Sequence, residues 1–149
     1  MNNELFLKQI QALVSDENDY YISKLANVSA AINEYLDRLN WVGFYLIKND
    51  ELVLGPFQGK VACTRIQVGK GVCGTSVIKK ETLRVDNVHL FEGHIACDSA
   101  SNSEIVVPII KNDRVLGVLD IDSPEYHRFD EFDQSMLEKL VQLIEKYVF

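Results

Sequence analysis

Two nearly identical turn sequences constrain the fold of this chain more than any other feature. The tetrapeptide IKND occurs at residues 47–50 and again at residues 110–113, and each copy lies between segments rich in apolar and β-branched residues. An Asn-Asp pair in that setting is typical of a tight hairpin turn. The sequence therefore predicts two antiparallel hairpins, WVGFYLIK with ELVLGPFQG and SEIVVPIIK with RVLGVLDIDS. Two distant copies do not make a solenoid, so we interpret them as one turn used twice.

Helical patterns flank the hairpins. Residues 4–13 are predicted to form a short helix, and a second helix follows, for which Ser15 is a suitable cap. A further helix begins at about Asp130, and GVCGTSVIKK is predicted to be a short helix between the strands TRIQV and TLRVD. The apolar stripes consist of Leu25, Val28, Ile32 and Leu36 in the second helix, and of Phe132, Met136, Leu140, Ile144 and Val148 in the last one.

These elements predict an α+β fold, a single domain over residues 1–149 in which N- and C-terminal helices flank a central antiparallel sheet. The length suffices for one domain with a substantial core, and 47% hydrophobic and 25% charged residues are ordinary globular values. Residues 87–102 are predicted to form an irregular loop. Because a loop of that length is more often a lid or binding loop than filler, we expect it to close over a ligand.

The charge of the chain limits its partners. A net charge of -7 makes nucleic acid and anionic membrane surfaces poor partners, whereas a ligand with an ammonium group would be favoured. The N-terminus lacks the pattern of a signal peptide, and no apolar run approaches the roughly 18 residues of a membrane span. We therefore expect a cytoplasmic protein, in which the three cysteines are reactive or buried thiols, not a disulfide framework.

The three cysteines are Cys63, Cys73 and Cys97. They lack the close ligand pairs of a zinc site, so no metal site is predicted. A free cysteine is ordinarily a small buried residue of the core. This role suits Cys63 best, and it suits Cys97 least because Cys97 lies in a polar loop. Cys73 lies near the start of a predicted helix, where the pKa of a thiol is lowered. The surrounding GKGVCG matches G-x-G-x-x-G only weakly, because the preceding strand alternates, so a glycine-rich turn entering a helix is favoured over a dinucleotide site.

The DID sequence places Asp120 and Asp122 on one face of a strand and turns Leu119 and Ile121 towards the opposite face. Such acids are ordinarily solvated. In a concave site, however, two neighbouring carboxyl groups cannot both ionise easily, so one pKa rises and that group can remain a proton donor. Trp41, the single tryptophan, is either a core residue or an aromatic wall for a methyl or thioether group.

The register of the second hairpin decides whether a third acid joins this pair. A strict two-residue turn would pair Glu104 with Ile121, and Glu104 would then lie on the opposite side of the sheet from the acids of DID. Pro108 lacks an N–H group and would be tolerated at a bulge, which would shift the register by one residue. We therefore predict a bulge or a widened turn between Glu104 and Asp120.

Four segments together resemble the free methionine-(R)-sulfoxide reductases, enzymes built on a GAF domain. The segments are NWVGFYL, LGPFQGKVACTRIQVGKGVCG, NVHLFEGHIACDSASNSEIVVPI and GVLDIDSP, within residues 40–124. The number and spacing of the three cysteines also match the family pattern. This set of motifs is far more specific than the GAF fold alone, which also hosts sensory modules. A non-catalytic GAF-type sensor of a small molecule or redox state is the alternative.

The resemblance implies reduction of free methionine-(R)-sulfoxide, with thioredoxin as electron donor and no metal, flavin or nicotinamide cofactor. It implies that Cys97 is the nucleophile and becomes a sulfenic acid, that Cys63 is the resolving thiol, and that Cys73 is the alternative resolving thiol. Formation of a homodimer is a further expectation from the family. The implied substrate-binding residues are the aromatic wall Trp41 and the acids Glu104, Asp120 and Asp122.

Overall fold

Both predicted hairpins are present, and they lie side by side in one sheet. The computed structural model describes residues 1–95, 97 and 99–149, so two positions of the predicted loop, 96 and 98, lie outside the described residues. Within these residues the α-helices are α1 (Asn3–Val14), α2 (Tyr21–Tyr35), α3 (Gly71–Lys79) and α4 (Glu131–Tyr147). The strands are β1 (Trp41–Lys48), β2 (Glu51–Gly59), β3 (Arg65–Gln67), β4 (Leu83–Val85), β5 (Ser103–Lys111) and β6 (Arg114–Ser123). The predicted loop contains a short 3₁₀ helix, Val88–Leu90.

The sheet has the strand order β3-β2-β1-β6-β5-β4, and every neighbouring pair is antiparallel. Side chains of α1, α2 and α4 pack on one face of the sheet and form the larger core cluster. The other face carries a second cluster, to which α3 contributes Val72 and Cys73. The α+β fold predicted from the sequence is confirmed, with terminal helices on a central antiparallel sheet.

The predicted cap of the second helix is wrong. Ser15 instead ends α1, where its N–H donates a hydrogen bond to the carbonyl of Gln11, and α2 begins only at Tyr21. Between the helices, the Asp16 carboxylate accepts a hydrogen bond from the N–H of Asn18. Acid and amide side chains that bond to nearby backbone favour turns over helices, and the DEND sequence therefore interrupts the helical pattern.

Helix α4 begins as predicted, because Asp130 and Asp133 form a reciprocal capping box. Met136, Leu140 and Ile144 of the predicted stripe are buried and Val148 is half-buried, but Phe132 is 70% exposed, so its place on the apolar stripe is wrong. Phe129, just before the cap, is buried in the core at this end of α4 instead. No helix in the described part of the chain combines the length and apolar character that crossing a membrane requires.

The two IKND turns adopt the same backbone conformation. The central Asn and Asp residues have φ angles of 52° and 62° in the first turn and 53° and 63° in the second. These left-handed values belong to a two-residue turn whose twist matches that of the paired strands. Asn and Asp tolerate this conformation better than other residues with a side chain, which is why the sequence repeats them.

The ladder between β5 and β6 is irregular next to its turn. Ile110 pairs with Val115, but Ile109 pairs with Gly117, so Leu116 is an extra residue without a partner in the ladder. Next to the bulge, Gly117 allows β6 to lie close to β1, because a Cβ there would lie 2.4 Å from the carbonyl oxygen of Tyr45 on β1. A side chain at this position would push the two strands apart.

This bulge has the predicted effect on the acids. Beyond it, Glu104 pairs with Asp122 and not with Ile121. The predicted shift by one residue is confirmed, although not at Pro108, which pairs regularly with Val118. The irregularity lies closer to the turn, between Ile109 and Ile110, and the extra residue belongs to the opposite strand.

Substitution of Asn112 tests the constraint that the turn places on this register. Asn112→Val should lower the free energy of unfolding by about 1–2 kcal/mol, since a branched side chain disfavours the left-handed conformation. Urea unfolding at equilibrium measures the change, and Asn112→Gly, which permits the same conformation, is the matched control. Equal stabilities of the Val and Gly variants would contradict the prediction.

Candidate active site

A pocket lies on the face of the sheet that carries α3. Residues from β1, α3, β5, β6 and the loop before β5 line it. Six of the seven site residues predicted from the sequence are among the lining residues, and the seventh, Cys63, is bonded to one of them. The six are Trp41, Cys73, Cys97, Glu104, Asp120 and Asp122.

A disulfide between Cys63 and Cys97 joins two loops, one that connects β2 to β3 and one that precedes β5. The Cα atoms of the two cysteines lie 5.6 Å apart, a usual separation for a disulfide. Both residues are half-buried. The disulfide joins residues 34 positions apart in the chain, and it is the pair that the family resemblance implies.

The third cysteine is a different kind of thiol. Cys73 is buried in the first turn of α3, and burial raises its pKa well above the ordinary value. The nearby charges of Asp120, Glu104 and Asp122 raise this pKa further. The expectation of a lowered pKa was therefore wrong in sign, because desolvation and three acids outweigh the helix N-terminus.

The three predicted acids converge on this side of the sheet. Glu104 on β5 faces Asp122 on β6, which in turn faces Trp41 on β1, so the three residues form a row across neighbouring strands. Asp120 lies on the same face, because it is two residues from Asp122 on the same strand. Ile121, between them, points into the opposite core and is fully buried, as predicted.

Burial controls the protonation of these acids. Glu104 and Asp120 are only 7% and 6% exposed. Burial, then the charges of Asp120 and Asp122, raise the pKa of Glu104 well above its ordinary value. Burial also raises the pKa of Asp120, although hydrogen bonds with Glu104 and Cys73 partly oppose it. Oδ1 of Asp120 has no hydrogen-bond partner among the described residues, so the cluster retains capacity for a ligand.

A stack of aromatic rings forms one wall. The Trp41 ring lies between Phe57, at 5.2 Å between ring centroids, and Tyr45, at 5.8 Å. Sequence reasoning missed Tyr45, whose phenol donates a 2.8 Å hydrogen bond to the carbonyl of Cys63. Its position four residues after Trp41 on one strand places both rings on the same face, and this spacing is the signal that could have revealed it.

One group of side chains has the composition of a metal site. Cys73, Glu104 and Asp120 each offer a ligand atom, and these atoms lie within 4.8 Å of one another. The spacing of the cysteines could not reveal this group, because two of its members are acids on other strands. All three members line the pocket, and Glu104 also belongs to the row that it forms with Asp122 and Trp41.

Comparison with known proteins places this arrangement in a class. Residues 21–148 match the GAF domain family. The chain is 51% identical over 139 residues to the free methionine-R-sulfoxide reductase of Escherichia coli, covering 93% of this chain and 84% of that protein.

Two solved structures extend the likeness to the fold. The structure of fRMsr of Staphylococcus aureus in its reduced form has a TM-score of 0.95 and 53% identity, over 99% of this chain and 96% of that one. The free methionine-R-sulfoxide reductase from Neisseria meningitidis, in complex with its substrate, has a TM-score of 0.93 and 46% identity, over 98% and 87% of the two chains. The chain belongs to the free methionine-R-sulfoxide reductases, a family of oxidoreductases.

The raised pKa of Glu104 predicts how stability depends on pH. Between the ordinary glutamate pKa and the higher folded-state pKa, the folded protein holds a proton that the unfolded chain has lost. Its stability is therefore full below that interval and falls as pH rises through it. Glu104→Gln should lose less unfolding free energy than the wild type as pH rises above the ordinary glutamate range through this interval.

Urea unfolding at a series of pH values measures this slope. The matched control is Glu92→Gln at an exposed position, which should retain the wild-type slope. Parallel curves for wild type and Glu104→Gln would show that the buried carboxyl does not hold its proton in the folded state.

Proposed function

We propose that this protein reduces free methionine-(R)-sulfoxide to methionine, with Cys97 as nucleophile, Cys63 as resolving thiol and thioredoxin as electron donor. The observation that carries the proposal is the Cys63–Cys97 disulfide beside a pocket that also contains buried acids and an aromatic wall. The relatives named as free methionine-R-sulfoxide reductases, which match over almost the whole chain, support the same substrate.

The first chemical step is attack of the reduced Cys97 thiolate on the sulfoxide sulfur. The sulfoxide oxygen accepts a proton and passes as a hydroxyl group to the Cys97 sulfur, while its bond to the methionine sulfur breaks. Methionine leaves with its sulfur reduced, and Cys97 becomes a sulfenic acid. Because the oxygen must be protonated or strongly hydrogen-bonded for this step, a neutral carboxyl group beside it is required. Glu104 is the candidate donor, because burial and the charges of two acidic neighbours raise its pKa.

The second step closes the disulfide. The Cys63 thiol attacks the Cys97 sulfur, the S–S bond forms, the S–O bond breaks and water leaves. The dithiol of thioredoxin then reduces the disulfide to two thiols and is itself oxidised. Cys73 is a weaker candidate for the resolving role, because its buried thiol has a raised pKa and forms little thiolate. Recycling by thioredoxin requires a reducing compartment, and we place the protein in the cytoplasm on that ground.

Recognition of a free amino acid follows from the charges of the pocket. The remaining carboxylates, Asp120 and Asp122, would hold the substrate ammonium, a group that a peptide-bound methionine lacks. The Trp41 ring, stacked on its neighbours, offers an apolar wall to the methyl group. Formation of a homodimer stays a prediction, which light scattering coupled to size-exclusion chromatography would check.

The role of Cys97 is tested by turnover of free methionine-(R,S)-sulfoxide with dithiothreitol. Wild type should release methionine, whereas Cys97→Ser should lose at least about a thousandfold in rate, because serine is a far weaker nucleophile. Chromatography of the released methionine measures both rates. If the wild type releases no methionine, the proposed reductase activity is contradicted and the GAF-type sensor becomes the favoured function.

A second substrate in the same assay tests recognition of the ammonium group. The N-acetylated sulfoxide should be reduced at least about a hundredfold more slowly in kcat/KM, since buried carboxylates would lose their charged partner. Equal rates for the two substrates would contradict the role assigned to the acids. The role of Cys97 would not be affected by that result.

The resolving thiol is identified by changing the reductant. Cys63→Ser should retain turnover with dithiothreitol but lose most of it with thioredoxin, which acts on the intramolecular disulfide. Cys73→Ser, the matched control, should retain turnover with both reductants. The opposite result, loss in Cys73→Ser alone, would assign the resolving role to Cys73.

A further inference from the structure

We propose that the aromatic wall also organises the resolving thiol, because the polar groups of Tyr45 and Trp41 hold the segment that carries Cys63 and so position this thiol for disulfide formation. Tyr45 and Trp41 are thus positioning residues for the second chemical step. The inference rests on the proposed function, in which Cys63 must reach the sulfenic acid of Cys97.

The segment in question comprises residues 60–64, between β2 and β3, and it has no regular secondary structure. Its backbone bond to the sheet is from the N–H of Leu54 to the carbonyl of Thr64, at 3.0 Å. Two side chains of β1 hold the rest of it. Trp41 Nε1 donates to the carbonyl of Lys60 at 3.2 Å, and the Tyr45 hydroxyl donates to the carbonyl of Cys63 at 2.8 Å.

The two donors cannot readily turn elsewhere. Trp41 and Tyr45 are each only 2% exposed, so a bond lost to the segment would not be replaced by a bond to water. Burial, followed by the charge of Asp120, raises the pKa of Tyr45, so that its hydroxyl remains a neutral donor. A buried hydroxyl already committed to a backbone carbonyl is also a poor candidate for donating a proton to substrate.

The support for these donors is rigid. β1 pairs with β2 on one side and with β6 on the other, and the stacked rings of Phe57, Trp41 and Tyr45 brace one another. The carbonyl of Cys63 is therefore fixed relative to the sheet, while Cys97 belongs to the long loop before β5. When the Cys63 thiol is held in position, the disulfide forms faster, because only Cys97 has to move into place.

The test separates the two chemical steps in a single turnover. Reduced Tyr45→Phe is mixed with one equivalent of free methionine-(R)-sulfoxide and quenched with acid at intervals. Chromatography measures methionine, and mass spectrometry measures the Cys63–Cys97 disulfide and the dimedone adduct of the Cys97 sulfenic acid. We expect the rate of disulfide formation to fall about tenfold more than the rate of methionine release, together with a larger yield of the adduct.

A second experiment tests the positioning role without the sulfoxide substrate. Hydrogen peroxide oxidises the Cys97 thiolate to the same sulfenic acid with release of hydroxide, after which closure is followed as before. Tyr45→Phe and Trp41→Phe should both close the disulfide more slowly than wild type in this experiment. If wild type closes the disulfide with peroxide but releases no methionine from the sulfoxide, the proposed substrate fails and the positioning role still stands.

Two controls define the remaining outcomes. Tyr35→Phe removes a phenol that donates to Asn3 on α1, and it should match wild type in both steps. Cys63→Ser should release methionine once and never form the disulfide. Wild-type closure rates in Tyr45→Phe would overturn the inference. Equal slowing of methionine release and closure would also overturn it, since that pattern indicates a distorted pocket.

Discussion

The shift of one residue between β5 and β6 is the constraint on which the site depends. Side chains alternate between the two faces of a sheet, so a regular ladder would have placed Glu104 against Ile121, in the core with the helices. The extra residue Leu116 moves the pairing so that Glu104 meets Asp122 on the pocket face. Every later property of the acid cluster, including its mutual effect on protonation, follows from this local irregularity.

The cluster is also costly to the folded protein. Burying carboxyl groups beside one another and beside a thiol disfavours their charged forms, as the raised pKa values of Glu104, Asp120 and Cys73 indicate. A ligand that brings a positive charge or accepts a proton would relieve this cost. Such an electrostatic cost is typical of functional sites, where charged groups are arranged to bind a ligand and not to stabilise the protein without it.

Features that depend on neighbouring residues in the chain were predictable. The IKND turns specify their own backbone conformation, and alternation identifies the faces of the strands. Errors arose where local patterns compete or where another element decides. Ser15 suits a cap but ends the preceding helix, and the pKa of Cys73 depends on acids contributed by β5 and β6. Alternation could have placed Tyr45 beside Trp41, but no local pattern reveals that its hydroxyl meets Cys63.

The sequence by itself determined the two hairpins and the fold class, and the family resemblance predicted site residues of which six line the pocket. It also indicated that the second hairpin needs an irregular register, because only then do the three acids share a face. The tertiary structure decided where the irregularity falls, how deeply the acids and Cys73 are buried, and which side chains hold the Cys63 segment. These properties depend on the distances and desolvation that arise when separate elements pack together, and no local pattern contains them.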